Sequence, residues 1–249
     1  MRRINCIISY DGTNFSGYQV QPGKRTVQDE IEKALTKVHK GQSIRVHASG
    51  RTDTGVHAKV QSLHFETEFQ LSTESWKKAL NALLPNDIYV NAIKEVPSDF
   101  HARYDVIEKE YRYYIINGPE KDVFKRNYSY YFPYKLDLIA MEEACRYFQG
   151  THDFTSFSSA KSTAKGSKVR HLYEVSFSKK ENELEFILRG NGFLYNMVRI
   201  IIGALLDVGQ GKLTPQDIKF LLEKKDRRFV GVTAPPQGLH LWNVKYKQE

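Results

Sequence analysis

The sequence predicts an α+β fold built from two ferredoxin-like halves, and three observations carry the prediction. Residues 1–105 read in the order β-α-β-β-α-β, residues 106–249 repeat that order, and Pro or Gly punctuates the helical segments where they should stop. Residues 3–10 are rich in β-branched side chains and read as a strand. A helix follows from Val27, with Val27, Ile31, Ala34, Leu35 and Val38 on one face. Thr26 and Asp29 stand at capping-box spacing, Asp taking the place of the usual Glu or Gln. Strands are expected near 43–49 and 59–67, then a helix over 73–84 with Trp76, Ala79, Leu80, Leu83 and Leu84 inward and Pro85 stopping it. A strand near 88–96 closes the half.

The second half opens with a strand at 109–117 and a helix at 137–149 that ends at Gly150, a common C-cap residue. Strands at 169–178 and 184–190 face each other across Lys179–Glu183, which reads as a hairpin. A helix is expected over 193–208, an additional one from Thr214-Pro215 in N-cap and N1 form, and a strand over 239–247. The Ser/Thr/Gly/Lys-rich stretch 151–168 reads as a mobile loop, long for a structural connection and therefore a candidate for function.

Composition narrows the class. Apolar residues make up 41% of the 249, which excludes a disordered chain. No apolar leader follows Met1-Arg2-Arg3, and the longest apolar run, Met197–Leu206, contains Arg199 and is too short to span a bilayer. Cys6 and Cys145 form no CxxC, so neither a disulfide framework nor a cysteine zinc site is expected, and a reducing cytoplasm fits. The eight His residues make no HExxH or Cys/His cluster, and there is no phosphate-binding Gly loop, so no metal or nucleotide cofactor is expected. A net charge of +8 beside 15 Tyr and 14 Phe leans toward nucleic acid, because cations neutralise phosphates and aromatic faces stack on unpaired bases.

Three features could carry chemistry. Gly50-Arg51-Thr52-Asp53-Thr54-Gly55-Val56-His57-Ala58 packs two Gly and two Thr around one Asp, with Arg and His nearby. A Gly-bounded turn in which Asp53 bonds its own backbone would explain the letters equally well. The triplet Asp53-Thr54-Gly55 also spells the aspartic-protease signature, but that chemistry needs two carboxylates sharing a proton and the chain has one such triplet. Tyr10-Asp11-Gly12-Thr13 resembles half of a phosphatase motif whose first aspartate would fall at Ser9. Arg199 stands in an otherwise apolar helical run and needs a partner, either a structural acid or Asp53 itself. On the strand Glu110–Tyr114, alternation puts Tyr111 and Tyr113 on one face and Arg112 and Tyr114 on the other, leaving Tyr111 either a core residue or a platform for an extruded base.

These segments together resemble the tRNA pseudouridine synthase A (TruA-type) family over nearly the whole chain. The resemblance rests on Tyr10–Thr13 with Gly17-Tyr18-Gln19, on Gly50–Ala58, on Tyr111-Arg112-Tyr113, on Phe193-Leu194 through Met197-Val198-Arg199, and on Thr233-Ala234-Pro235 through Gly238-Leu239. It implies that Asp53 is the catalytic aspartate, Tyr111 packs on the target base, Arg199 pairs with the aspartate, Arg51 helps hold the flipped nucleotide, and Leu239 lines the uracil pocket. It further implies an extended, mostly antiparallel sheet with helices on one side and a central active-site cleft, with the Asp motif in the 1–105 half and the Tyr and buried Arg in the 106–249 half. The expected enzyme is a cofactor-free homodimer acting on the anticodon stem-loop of tRNA, classically at positions 38–40. A non-catalytic RNA-binding protein or RNA chaperone on the same fold is the competing expectation. Tyr18 departs from the family's usual tryptophan, and Val20 from a residue that is often basic.

Overall fold

A computed structural model describes residues 1–159 and 166–247. The elements begin with β1 (Arg2–Tyr10), α1 (Val27–Val38), β2 (His47–Ala48), β3 (His57–Thr67), α2 (Thr73–Leu83), β4 (Ile88–Val96), β5 (Val106–Ile116) and β6 (Tyr130–Tyr131). They continue with α3 (Leu138–Phe148), β7 (Gly150–Asp153), β8 (Val169–Lys180), β9 (Glu183–Gly190), α4 (Met197–Gly209), α5 (Pro215–Lys224) and β10 (Leu239–Tyr246). The α+β class follows directly, and within each unit the strand pairs are antiparallel except β3 with β10 and β5 with β6. Two compact units form, one of Met1–Ile107 with His240–Glu249 and one of Glu108–Leu239.

In the first unit the strand order is β4-β1-β3-β10, with β2 also on β3. β1 lies between β4 and β3, and its buried Ile4, Cys6, Ile8 and Tyr10 alternate as a half-buried strand requires. The Thr26 hydroxyl caps α1 by accepting the Asp29 N–H, and α1 buries Val27, Ile31, Ala34 and Leu35. Ser72 caps α2, which buries Trp76 and Leu80. Leu83, expected inward, is 40% exposed at the last residue of the helix. The strand expected over 43–49 shrinks to two residues, since the Val46 N–H donates to Glu32 Oε1 of α1 (3.1 Å) instead of to a neighbouring strand.

In the second unit the order is β5-β9-β8-β7, with β6 parallel to the end of β5. The β8–β9 hairpin turns at Glu181, and Asp137 caps α3 by accepting the Ala140 N–H (3.0 Å). Thr214 and Asp217 form a reciprocal capping box at the start of α5. Part of the expected loop 151–168 is the strand β7, paired with β8, and a 3-10 turn over Thr155–Phe157, while residues 160–165 lie outside the described residues. The helix expected from 193 starts at Met197, because Asn196 takes a left-handed conformation (φ 61) that no α-helix can continue through. Both cysteines are buried and free. Among the described residues no helix is long and apolar enough to cross a membrane.

Candidate active site

The first unit carries Arg51 and Asp53 on the loop between β2 and β3. Within this loop Thr52 is buried, Asp53 is half-buried and Arg51 is exposed. Its backbone is gripped by residues 10–18. The Tyr18 N–H donates to Thr52 O (3.1 Å) and the Gly55 N–H to Phe15 O (3.3 Å). Glycine is required at the closest approaches: a Cβ on Gly12 would sit 2.0 Å from Val56 O, and one on Gly17, whose φ is +89, would sit 2.8 Å from Thr52 O. The Gly12 N–H also donates to His57 Nδ1 (2.9 Å), and the His57 ring stacks on His240 at 4.7 Å. Within the loop the Val56 N–H donates to Asp53 O (3.1 Å), so the turn closes through the Asp53 backbone carbonyl. Two of the motif segments singled out in the sequence are therefore one packed structure.

Arg25 braces the same region from outside. Its guanidinium donates two hydrogen bonds to Asp87, at 2.7 and 2.8 Å, and lies 4.1 Å from the centre of the Phe15 ring. The fork geometry matches a carboxylate as only arginine can. Nothing in the one-dimensional pattern pairs positions 25 and 87.

The second unit carries Tyr111, Arg199 and Leu239. Tyr111 and Tyr113 are buried on β5, whereas Arg112 and Tyr114 both donate to Glu185 Oε1 (2.7 and 2.9 Å), as the alternation requires. The Tyr111 ring meets Phe193 edge-on with centroids 5.0 Å apart. Arg199 is not in the middle of a helix but in the first turn of α4 and half-buried. A cation there opposes the helix dipole. The guanidinium Nε donates to Ala234 O (2.7 Å) and a terminal nitrogen to Asn196 Oδ1 (3.1 Å), while the Ala234 N–H returns a bond to Arg199 O (3.0 Å).

The Thr233–Leu239 segment is thus tied to α4, and glycine again permits the approach: a Cβ on Gly203 would lie 2.0 Å from Val232 O. Gly238 lies against Tyr113, whose hydroxyl donates to Pro235 O (2.8 Å), and buried Leu239 follows at once. Burial raises the Tyr113 pKa, partly offset by the Arg199 charge, which keeps this phenol neutral.

A model of the tRNA pseudouridine synthase family matches residues 6–105 and 144–247. The chain belongs to that family. Curated tRNA pseudouridine synthase A proteins match it end to end. That of Oceanobacillus iheyensis is 55% identical over 248 residues, covering 100% of this chain and 98% of its own. That of a Geobacillus species is 56% identical, covering 98% of each chain, and that of Anoxybacillus flavithermus is 57% identical, covering 99% of each. A chain of a solved Cbf5-Nop10-Gar1 complex aligns with 94% of this chain and 56% of its own, at 13% identity and a TM-score of 0.36, too distant to bear on the site. Membership makes the protein an isomerase that forms pseudouridine in tRNA.

Proposed function

We propose that this tRNA pseudouridine synthase isomerises uridines of the anticodon stem-loop, at positions 38–40, with Asp53 as nucleophile and without a cofactor. The observation that carries the role of Asp53 is the loop itself: a half-buried aspartate on a backbone held by hydrogen bonds and by glycine contacts too close for any side chain. A nucleophile has to be held in this way, since misplacement by about 1 Å can cost roughly a hundredfold in rate. The supporting residues are those the family resemblance implies. Arg199 acts as the counter-charge of Asp53 and keeps it ionised, Tyr111 packs on the extruded uracil, Arg51 holds the flipped nucleotide, and Leu239 lines the base pocket.

The reaction breaks the N-glycosidic bond, turns uracil and joins C5 to the ribose. The C5 proton then leaves and N1 gains one, so atoms and electrons balance with no redox partner. In this scheme Tyr111 serves as the base that removes the C5 proton. A water-excluding pocket keeps the detached uracil in place. The net charge of +8 suits an RNA ligand, and the family resemblance supports a homodimer working in the cytoplasm.

Asp53→Asn is the direct test. The variant should fold and bind tRNA as the parent does but lose at least a thousandfold in turnover, about 4 kcal/mol of barrier. Sequencing of pseudouridines in tRNA from cells with the parent, the variant or neither protein reads both activity and position. Pseudouridine restored by Asp53→Asn would remove the nucleophile from the scheme, and sites outside the anticodon stem-loop would remove the proposed substrate region.

A further inference from the structure

Beneath the Gly50–Ala58 loop lie polar side chains that the reaction scheme does not use. Gln61 on β3 is fully buried, yet both ends of its amide are engaged: Nε2 donates to Gly50 O (2.9 Å) and Oε1 accepts from the Ser49 hydroxyl (2.6 Å). Tyr10, at the end of β1, shares a 2.8 Å hydrogen bond with Thr52 Oγ1 and interacts with Gln61 as well. The β1–β3 register slips between Ile8 and Tyr10, which sets Tyr10 opposite Ala58. Irregularities of this kind re-aim a side chain next to a functional site.

We infer that Gln61 and Tyr10 are positioning residues that aim Asp53. They fix the backbone at Gly50 and the side chain at Thr52, on either side of Arg51. With Thr52 held inward, its neighbours Arg51 and Asp53 are the residues left exposed and half-buried. Apolar side chains would fill the same space without the desolvation of polar groups, whereas a satisfied buried network selects one arrangement. Burial raises the Tyr10 pKa, so the phenol stays protonated and keeps its hydrogen bond throughout the working pH range. The inference rests on Asp53 being the nucleophile.

The test compares parent, Gln61→Met, Tyr10→Phe, the double variant Tyr10→Phe/Thr52→Val, and Asp53→Asn. Each is assayed for single-turnover rate at saturating tRNA, tRNA dissociation constant and melting temperature. Gln61→Met should slow the rate by about ten- to a hundredfold, as a small misplacement does. The dissociation constant should stay within about twofold, because phosphate contacts dominate affinity. Tyr10→Phe, which removes one oxygen, guards against a Gln61 variant that does not fold, and it should slow the rate at least several-fold.

The double variant replaces both partners of one bond by apolar groups of similar shape, so its stability should recover toward the parent's while its rate stays low. Recovery of rate together with stability would overturn positioning, as would folded single variants turning over at the parental rate beside an inactive Asp53→Asn. An active Asp53→Asn would overturn the nucleophile, and the aim of the network with it, and that outcome is recognised by its own control.

Discussion

Adding one methyl group to Gly203 should damage the enzyme even though it improves the helix. Gly203 lies inside α4, where Gly→Ala ordinarily stabilises by about 1 kcal/mol. Here the new Cβ would sit 2.0 Å from Val232 O, where contacts below 3.0 Å essentially never occur. The helix and the carbonyl must therefore move apart by about 1 Å. Overpacking of this kind costs about 1–3 kcal/mol. The net effect on stability should lie between neutral and about 2 kcal/mol unfavourable, a fall of up to several degrees in melting temperature.

The displaced segment continues into Ala234, which both donates to and accepts from Arg199. A shift of that size should lower the rate by up to about a hundredfold. Melting followed by circular dichroism and tritium release from tRNA labelled at uridine C5 measure the two effects. A Gly203→Ala enzyme that melts about 1 kcal/mol higher and keeps the parental rate would refute the packing and the role given to this segment.

Tyr18→Phe should do the opposite and stabilise by about 1 kcal/mol, because the buried Tyr18 hydroxyl has no hydrogen-bond partner among the described residues; an unchanged or lower denaturation midpoint would count against it. His64 is held down to about 4, first by burial and then by His101, His47 and Arg3, so the folded state binds fewer protons than the unfolded one between pH 6.5 and 4. Stability should fall as pH drops through that window, by about 1–2 kcal/mol between pH 7 and 5, and His64→Gln should flatten this slope in denaturant titrations. If Arg199 is the counter-charge proposed for Asp53, Arg199→Met should fold yet lose activity near neutral pH and regain part of it as pH rises, because a carboxylate deprived of a counter-charge holds its proton more tightly. Arg199→Lys should not fully rescue, since an ammonium cannot reproduce the guanidinium fork. A parental pH–rate profile in Arg199→Met would leave Arg199 a merely structural bond to Ala234.

The elements with local causes were the legible ones. Thr26, Thr214-Pro215 and the Val27–Leu35 stripe announce their helices because caps and periodicity act over a few residues. Where distant groups decide, the letters mislead. Phe193 and Leu194 continue the apolar pattern of α4, but Leu194 is buried from a turn set by the left-handed Asn196. Val46 looks like a strand residue and is claimed by a glutamate of α1. Strand β10 follows the second half in order, yet from His240 on it joins the sheet of the first unit.

At the candidate site, Arg51 and Asp53 were visible because their neighbours are adjacent in sequence. Gln61 was not, because a lone Gln in a strand reads as a solvent-facing residue until its burial is known. The Arg25–Asp87 pair spans 62 positions and left no local trace.

The return of β10 to β3 sets a timetable for synthesis. Its two parallel pairs, His240 with His57 and Leu241 with Ala58, fall on the last two residues of the Gly50–Ala58 loop. The 132 residues of Glu108–Leu239 must be made in between, which at ribosomal speed takes on the order of 10 s. Throughout that interval the growing chain holds Asp53 on a loop whose far end is paired with β1 but still lacks β10. A ribosome stalled anywhere in the second unit therefore carries a nascent chain that has the proposed nucleophile but not the strand that pairs with the end of its loop, and such a chain should leave tRNA unmodified.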